Sequence, residues 1–564
     1  MTRYAYLFEA RSIQQYILAS GRLAEMVGAS KIIDALTDET LGAALESLGF
    51  RENKNELPQD ASGIAFSRRE GGVFVTFLTD GIQAARLRAL WTLVVQSVAP
   101  GLEWVDALTS GETFRDAVDS GYRSLAARRN LPAVHLPEST PFTRIAPRTG
   151  EPAAKRAKRN EWRDAPGVLK HEASKTDSSL RLKFLPEECH SEYSRYVFPR
   201  ELTPEDESSE HAFPFLGADR NVAVIHADGN GLGLILNALK AELQRNGIDD
   251  AQYLSVYRGF SDAVRDATRN AARLATDRAL LPHARISGNI RTLPARPLVL
   301  AGDDLNIIVR ADLALDYAKV FLDAFESETA QALSVWKSSA LGGLSIPGLP
   351  ERLTACAGIV FCGANQPFAS AYALSEALCK AAKQQAAQHK VGDLKPGGFI
   401  FHRVTTSFIE DWNDVVSETL TVRAGQLEAR LSLGLYGVGV TASQAGLPAW
   451  THLEQLKDIL SCATLARGPV RELMLLMYQS PEIMRQRYAR WRENLIKSGP
   501  GGSRQLAQID KILVELGVKA PHVTPFTDDP IHPATPLGDV VSLLPIYRRT
   551  VSDVAPASRM ESLA

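Results

Sequence analysis

The sequence predicts an α+β protein that contains two ferredoxin-like units and ends in a helical region, and three observations support this prediction. Near the start of the chain, apolar segments follow the order strand, helix, hairpin, helix, strand, which is the order of the ferredoxin-like split unit. The same order recurs after about residue 220, so we infer an internal duplication with little sequence identity left. Beyond about Ile409, the apolar residues keep helical spacing.

Length and composition limit the protein class. The 564 residues are too many for one hydrophobic core, and 45% apolar and 23% charged residues are ordinary for a globular protein. The formal net charge of −2 provides no global attraction to nucleic acid, so a polyanion site would have to be a local basic patch. The sequence has no run of 18 apolar residues that would predict a membrane-spanning helix, and its start lacks the apolar core of a signal peptide. The cysteines form no C-x-x-C pair, which favours reduced thiols in a cytoplasmic protein; they are Cys189, Cys356, Cys362, Cys379 and Cys462.

The first unit is assigned to residues 1–130. Its predicted elements are a strand at 4–8, a helix at 13–25, a hairpin of 64–66 and 73–77, a helix at about 81–95 and a strand at 102–105. A connector or inserted region follows at 131–215 and includes the basic run Lys155-Arg156-Ala157-Lys158-Arg159. Such a run is typical of a solvated connector, and the alternative is a local patch for nucleotide phosphates or RNA backbone.

The second unit is assigned to residues 216–408. Its predicted elements are a strand at 222–227, a helical stretch, a hairpin of 297–300 and 305–309, a helix at 311–333, a strand at 353–361, a helix at 369–388 and a strand at 398–404. Residues 409–500 predict a helical bundle, and residues 501–564 predict a linker, a last helix at 506–516 and a Pro-rich surface tail. The Gly-rich stretch 498–503 is typical of a flexible linker.

Two acidic clusters follow strands of the second unit. The first reads Asp228-Gly229-Asn230-Gly231-Leu232-Gly233, and the second is Gly302-Asp303-Asp304 at the tip of the hairpin. A strand end beside a hairpin tip brings carboxylates to one point from rigid elements. Mg²⁺ prefers hard oxygen ligands and takes only one or two protein carboxylates, which leaves positions for water and phosphate. The glycines permit a tight turn and let backbone amides approach a triphosphate closely.

Each cluster has a simpler interpretation. Gly-Asp-Asp between two strands is common turn chemistry, and the first cluster equally fits a loop or a helix cap. Other binding motifs fail on spacing: an EF-hand that began at Asp228 would need an acid where Leu239 stands, and the glycines match neither a dinucleotide fingerprint nor a P-loop. His226 shares a strand face with Asp228, and we interpret it as a structural residue.

Several further segments, taken together with the acidic clusters, are similar to one family. They are Tyr6-Leu7-Phe8-Glu9-Ala10, Ile13-Gln14-Gln15-Tyr16-Ile17, Val27-Gly28-Ala29-Ser30, Ala357-Gly358-Ile359-Val360 and the helix from Ala373 to Lys383. The chain resembles the large palm-domain subunit of type III CRISPR effector complexes, the GGDD-type cyclic oligoadenylate synthase. The resemblance spans most of residues 2–404 and extends to the C-terminal helical region.

The resemblance implies two palm domains akin to GGDEF and nucleotidyl-cyclase domains. It implies that Asp228 is the first-strand metal ligand and that Asp303 and Asp304 are the catalytic, metal-binding acids of the hairpin. It also implies nucleotide binding by a set of nearby residues, in which a lysine contacts the triphosphate; the set is Gly229, Asn230, Gly231, Gly302 and Lys383. The chemistry so implied uses two Mg²⁺ or Mn²⁺ ions, and a ribose hydroxyl attacks the α-phosphate of ATP and expels pyrophosphate.

The chain departs from the family pattern at several places. Ala301 replaces the first glycine of the hairpin, and Asn230 stands where some relatives have an acid. The first unit's hairpin, Glu70-Gly71-Gly72-Val73-Phe74, has no acids after its glycines, so we expect that unit to be degenerate and non-catalytic. Zinc-binding cysteines are missing around residues 144–150, and the chain contains no His-Asp dipeptide, so no HD nuclease domain is expected.

The leading hypothesis is therefore an ATP-using cyclase that makes a cyclic oligonucleotide second messenger in antiviral defence. The expected partners are ATP, guide RNA-containing effector subunits and target RNA, without a membrane. One alternative is a non-catalytic scaffold or RNA-binding subunit of a ribonucleoprotein effector. Another is a stand-alone signalling cyclase outside a CRISPR complex.

Overall fold

Two large β-sheets, of five and six strands, carry helices on their faces and dominate the chain up to Arg403, and a smaller, mainly helical region follows. This computed structural model describes residues 2–54, 56–131, 140–157, 161–176, 178–202, 209–216, 219–340, 349–406, 410–424, 427–461, 467–529 and 532–547. Part of the predicted basic run (158–159), Ile409, Cys462 and the end of the predicted tail lie outside the described residues. The protein is an α+β mixture, as predicted.

The first sheet is built around a central strand that is buried on both faces. Its elements are the strands β1 (Arg3–Arg11), β2 (Arg51–Glu52), β3 (Gly63–Glu70), β4 (Val73–Leu78) and β5 (Glu103–Gly111), and the helices α1 (Ile13–Leu18), α2 (Leu23–Ala35), α3 (Leu41–Ser47), α4 (Gly81–Val98) and α5 (Phe114–Arg128). The sheet order is β2-β3-β4-β1-β5, and β1 is antiparallel to both β4 and β5. The single helix predicted at 13–25 is instead α1 followed by α2, because the chain turns at Gly21 with φ of +66°.

The connector contributes small elements between the sheets. These are the strands β6 (Ala153–Arg156), β7 (Trp162–Asp164) and β8 (Tyr196–Val197), and the helices α6 (Ala165–Ala173) and α7 (Ser178–Phe184). Asp164 caps α6, since its carboxylate accepts from the backbone N–H of Gly167. The basic run is therefore partly a β-ribbon rather than only an irregular connector.

The second sheet repeats the order of the first and adds a parallel strand. Its region contains the strands β9 (Asn221–Gly229), β10 (Arg285–Ser287), β11 (Ile290–Thr292), β12 (Ala295–Ala301), β13 (Asp304–Arg310), β14 (Ala355–Gly363) and β15 (Gly398–Arg403), and the helices α8 (Leu232–Arg245), α9 (Asp250–Ala279), α10 (Ala314–Ala340) and α11 (Phe368–Ala386). With the later strand β18 (Tyr436–Gly437), the sheet order is β12-β13-β9-β14-β15-β18. The order strand, helix, hairpin, helix, strand is thus present in both units, with β9 central in the second.

Buried apolar contact joins the two sheets. Phe8 and Phe74 of the first sheet both contact Trp91 of α4, with ring centroids 5.5 and 5.4 Å apart. The same hydrophobic cluster also includes Val222 and Ile308 of the second sheet. One shared core therefore joins the two units. In the second sheet, α11 packs on one face and α9 and α10 pack on the other, and α9 also contacts the first unit through Tyr253 and Leu254.

The C-terminal region differs from the prediction in its linker, in its tail and in an antiparallel strand pair at 421–430, within the predicted helical bundle. It contains α12 (Trp412–Asp414), β16 (Thr421–Ala424), β17 (Leu427–Arg430), α13 (Val440–Gln444), α14 (Trp450–Ser461), α15 (Arg467–Gln479), α16 (Pro481–Lys497), α17 (Pro500–Glu515) and α18 (Pro536–Leu543). The prediction of a flexible linker at 498–503 is wrong, because α17 begins at Pro500, with only two residues between it and the end of α16. The two helices also pack closely, since a Cβ on Gly502 would lie 2.1 Å from the carbonyl oxygen of Leu495. The predicted surface tail includes α18, whose Leu537, Val540 and Leu543 are buried. None of the described helices is both long and apolar enough to cross a membrane.

Candidate functional site

The end of β9 and the turn between β12 and β13 bring two acids together. Strand pairing places Leu305 opposite Ala227, so the hairpin tip reaches the point where β9 ends in Asp228 and Gly229. A Cβ on Gly229 would lie 2.4 Å from the carboxylate Oδ2 of Asp303, so only glycine lets Asp303 come this close. Gly302 has φ of +59°, which permits the tight turn. The predicted meeting of strand end and hairpin tip is therefore present.

The three predicted acids influence one another electrostatically. Burial raises the pKa of Asp303 to about 6, and the nearby carboxylate of Asp228 raises it as well. Burial also holds the pKa of Asp304 well above its ordinary value, and the charges of Asp228 and Asp303 add to this effect. Raised pKa values of this kind indicate that the acids repel one another when all are ionised.

Lys383 of α11 partly balances this negative charge. Its ammonium Nζ donates to the carboxylate of Asp228 and, at 2.7 Å, to the carbonyl oxygen of Gly229. The Lys383 side chain is 24% exposed and that of Asp228 is 40% exposed, so this ion pair lies at the edge of solvent. The lysine that the resemblance identified thus lies beside Asp228.

Asp304 lies between groups that the sequence did not assign to the site. Its Oδ1 is 3.5 Å from Nδ1 of His226, and its Oδ2 accepts from the amide Nε2 of Gln14 at 3.4 Å. The ring of Tyr372 stands edge-on to the ring of His226, with centroids 5.7 Å apart. Burial lowers the pKa of His226 to about 4, so the ring is neutral at pH 7. Gln14 comes from α1, so the first unit reaches the acids of the second.

The glycine-rich turn after Asp228 is held by Asn230. The Asn230 side-chain amide donates to Thr354 Oγ1 at 3.0 Å and to the carbonyl oxygen of Pro396 at 3.2 Å. These contacts anchor the turn to the protein, and a role for Asn230 in nucleotide binding stays a prediction. Gly231 has φ of +76° and immediately precedes α8.

A cavity of about 810 Å³ opens beside the acids, between the two units. The second unit lines it with Asp303, Asp304 and the aromatic rings of α9, and the first unit contributes Gln14 and Arg68. This volume lies within the range of small-molecule sites. Where the hairpins of the two units meet, a Cβ on Gly71 would lie 3.2 Å from the Cβ of Ala301.

The arrangement of the acids decides whether they could hold a divalent cation. Within the described ranges, no group of three or more His, Cys, Asp or Glu side chains is arranged to hold a metal ion. Mg²⁺ requires only one or two protein carboxylates, however, and fills its other positions with water and phosphate oxygens. Asp228 and Asp303 offer hard oxygen donors whose mutual repulsion a cation would relieve. These residues therefore fit a hard divalent cation, and the participation of Asp304 stays a prediction.

The residues that sequence reasoning missed come from distant parts of the chain. The sequence favours a structural role for His226 and presents Gln14 only as part of a motif in the first unit. The alternation of side chains along β9, which puts His226 on the face of Asp228, was the available signal for the histidine. No local pattern places Gln14 beside residue 304.

Comparison with known proteins yields remote structural similarities. No protein-family model and no curated protein matches the sequence. The structure of Csm1 in T. onnurineus aligns with 96% of this chain and 69% of its own at 13% identity and a TM-score of 0.45. A Csm1–Csm4 cassette in complex with cA4 aligns with 91% of this chain and 70% of its own at 10% identity and a TM-score of 0.42. A Csm1–Csm4 cassette in complex with AMPPNP aligns with 68% of this chain at 11% identity and a TM-score of 0.36, and this chain spans about half (53%) of its length. Similarities of this size do not assign the chain to a family.

Proposed function

We propose that this chain is a metal-dependent nucleotidyl transferase or cyclase that converts ATP into a cyclic oligonucleotide second messenger in antiviral defence of the type III CRISPR kind. The observation that carries the proposal is the convergence of Asp228, Asp303 and Asp304, of which Asp303 and Asp304 line a cavity of about 810 Å³. Adjacent, partly buried acids that repel one another serve no structural purpose, whereas phosphoryl transfer requires them. The motif resemblance supports the same function.

Each residue of the site has a role in this proposal. Asp228 and Asp303, with Asp304 as the third acid, would hold Mg²⁺ or Mn²⁺. When bound, two such cations would lower the pKa of the attacking ribose hydroxyl and neutralise the departing pyrophosphate. Lys383 donates to Asp228 and Gly229 in this structure, and we propose that its ammonium turns to the triphosphate when ATP binds. The glycines at 229, 231 and 302 keep side chains out of the turn, so that backbone amides can approach phosphate oxygens.

The proposal also includes a domain assignment. A degenerate palm domain would occupy 1–130 and a catalytic palm domain 216–408, joined by the connector 131–215. The helical region 409–500 and the end of the chain (501–564) would follow. The expected partners remain guide RNA-containing effector subunits and target RNA.

The test is mass spectrometry of products after incubation with each nucleoside triphosphate and Mg²⁺ or Mn²⁺. We expect a cyclic or linear oligonucleotide from the wild type with ATP. The double variant Asp303→Asn, Asp304→Asn should make at least about 100-fold less, because metal ions supply several kcal/mol of transition-state stabilisation. A matched control is Asp458→Asn on α14, where the side chain is 70% exposed. Equal product from the double variant and the control would refute the proposal.

A second candidate function is a non-catalytic scaffold in a ribonucleoprotein assembly. One observation favours it: the Asp228 carboxylate is already paired with Lys383. Calorimetric titration with ATP and Mg²⁺ separates the two functions. A wild-type chain that folds and copurifies with RNA but binds no ATP would support the scaffold.

A further inference from the structure

A small β-ribbon in the connector presents arginine and aromatic side chains on one face. In the pairing of β6 with β7, Arg156 lies directly opposite Trp162. The guanidinium of Arg144 lies over the Trp162 ring, 5.0 Å from its centroid. The segment with Arg144 runs beside β6, since the backbone N–H of Ala153 donates to the Arg144 carbonyl oxygen at 2.7 Å. Because directly opposite residues of neighbouring strands project to the same face, Arg144, Arg156 and Trp162 share one face.

Phe142 lies two residues before Arg144 and is 99% exposed. Arg144 and Arg156 are also exposed, and Trp162 is half-buried beneath the Arg144 guanidinium. The sequence-based expectation of a solvated connector accounts for exposed arginines. It does not account for an aromatic ring that is almost entirely in water.

The acids of the ribbon are engaged with the rest of the protein. Glu161 forms ion pairs with Arg22 and, at 3.0 Å, with Arg148. Asp164 is buried and accepts from the backbone N–H of Gly167 at 2.7 Å. The outward face of the ribbon is therefore positively charged, although the whole chain carries a formal net charge of −2.

We propose that the surface formed by Arg144, Arg156 and Trp162, together with Phe142 two residues before Arg144, binds single-stranded nucleic acid; it is here named the ribbon face. The arginines would contact backbone phosphates, and the exposed ring of Phe142 would stack on an unpaired base, which is how sequence-tolerant single-strand binding sites work. An acidic peptide would use the arginines but not the exposed ring, and a duplex would offer no free base face to Phe142. The inference goes beyond the proposed function, because it concerns a surface outside the acidic site and does not depend on catalysis.

The experiment is fluorescence anisotropy of the full chain with fluorescein-labelled 20-nucleotide oligouridylate RNA and, in a parallel arm, oligodeoxyuridylate DNA, which differs only in the missing 2′-hydroxyl groups. We expect Phe142→Ala to weaken binding at least about fivefold, since stacking on one aromatic ring is lost. The double variant Arg144→Gln, Arg156→Gln should lower the slope of log affinity against log salt by about 1.4, because two phosphate contacts disappear. The matched control is Arg485→Gln, Arg490→Gln, which removes two exposed arginines from α16.

Each outcome decides the proposal. Loss of binding in the ribbon variants but not in the control supports the proposal. Binding of the RNA alone would identify a site that reads the ribose 2′-hydroxyl, and binding of both oligonucleotides would identify a general single-strand site. Equal loss in the control variant overturns it, because attraction would then be diffuse. It is also overturned if neither oligonucleotide binds, or if a blunt RNA duplex competes as well as the single strand. Unchanged thermal unfolding of the variants excludes misfolding as the cause.

Discussion

A close contact between α11 and β14 makes one glycine decisive for the candidate site. A Cβ on Gly358 would lie 2.0 Å from the carbonyl oxygen of Ser375 and 2.5 Å from the backbone nitrogen of Cys379, both in α11. Ordinary van der Waals contact begins at 3.4 Å, so Gly358→Ala must push the helix away by about 1.4 Å. Lys383 lies one turn beyond Cys379 on this helix, so its ammonium would move relative to Asp228.

Two effects of Gly358→Ala are expected. Overpacking should reduce the free energy of unfolding by about 1–3 kcal/mol, which thermal unfolding followed by circular dichroism measures. A displacement of about 1 Å in a catalytic group can lower the rate about 100-fold, which product formation from ATP measures. Gly363→Ala is the matched control, because it lies at the end of the same strand and its Cβ would have no neighbouring heavy atom within 4 Å. If both variants unfold and turn over alike, the close contact does not position Lys383.

Three further predictions concern other parts of the chain. His226→Leu should weaken Mn²⁺ binding about tenfold in calorimetric titration, because the imidazole, 3.5 Å from the Asp304 carboxylate, helps to orient it, whereas the same change at the half-buried His402 should not. Burial raises the pKa of Asp539 from 3.8 to about 6, so its stabilising contribution is complete below pH 3.8 and is lost as the pH rises through 6. The wild type should therefore lose about 3 kcal/mol of unfolding free energy relative to Asp539→Asn between pH 3 and 7, measured by chemical denaturation. Gly502→Ala should lower the thermal unfolding temperature, because its Cβ would meet the carbonyl oxygen of Leu495 at 2.1 Å.

Each of these predictions has a contrary result. Equal Mn²⁺ affinity in the His226 and His402 variants would mean that the imidazole does not orient Asp304. A pH-independent difference between the wild type and Asp539→Asn would mean that this carboxyl group titrates normally in the folded state. An unchanged unfolding temperature for Gly502→Ala would restore the flexible linker between α16 and α17.

The sequence predicts features that depend on neighbours along the chain and misses those that depend on distant ones. Asp228 and Asp303 were found because an apolar strand, an acid and glycines form a local pattern. The linker prediction failed because Gly499, with φ of +104°, and Pro500 begin a helix here, a use of Gly and Pro that composition alone does not distinguish from a flexible segment. The contact of Gln14 with Asp304 joins residues 290 positions apart, and only the packing of the two units creates it.

The Gly71 turn of the first unit meets Ala301 of the second unit within one chain, a contact that in a homodimer would lie between two subunits. In a symmetric pair, both copies must keep every residue of the site, and the site between them is complete only while they are associated. Here the covalent connection between the two units fixes the effective concentration of each unit around the other. The half with Gly71 can therefore lack acids in its own hairpin and still serve as the facing wall of the cavity. Dilution of the protein therefore does not separate the two units that line the cavity.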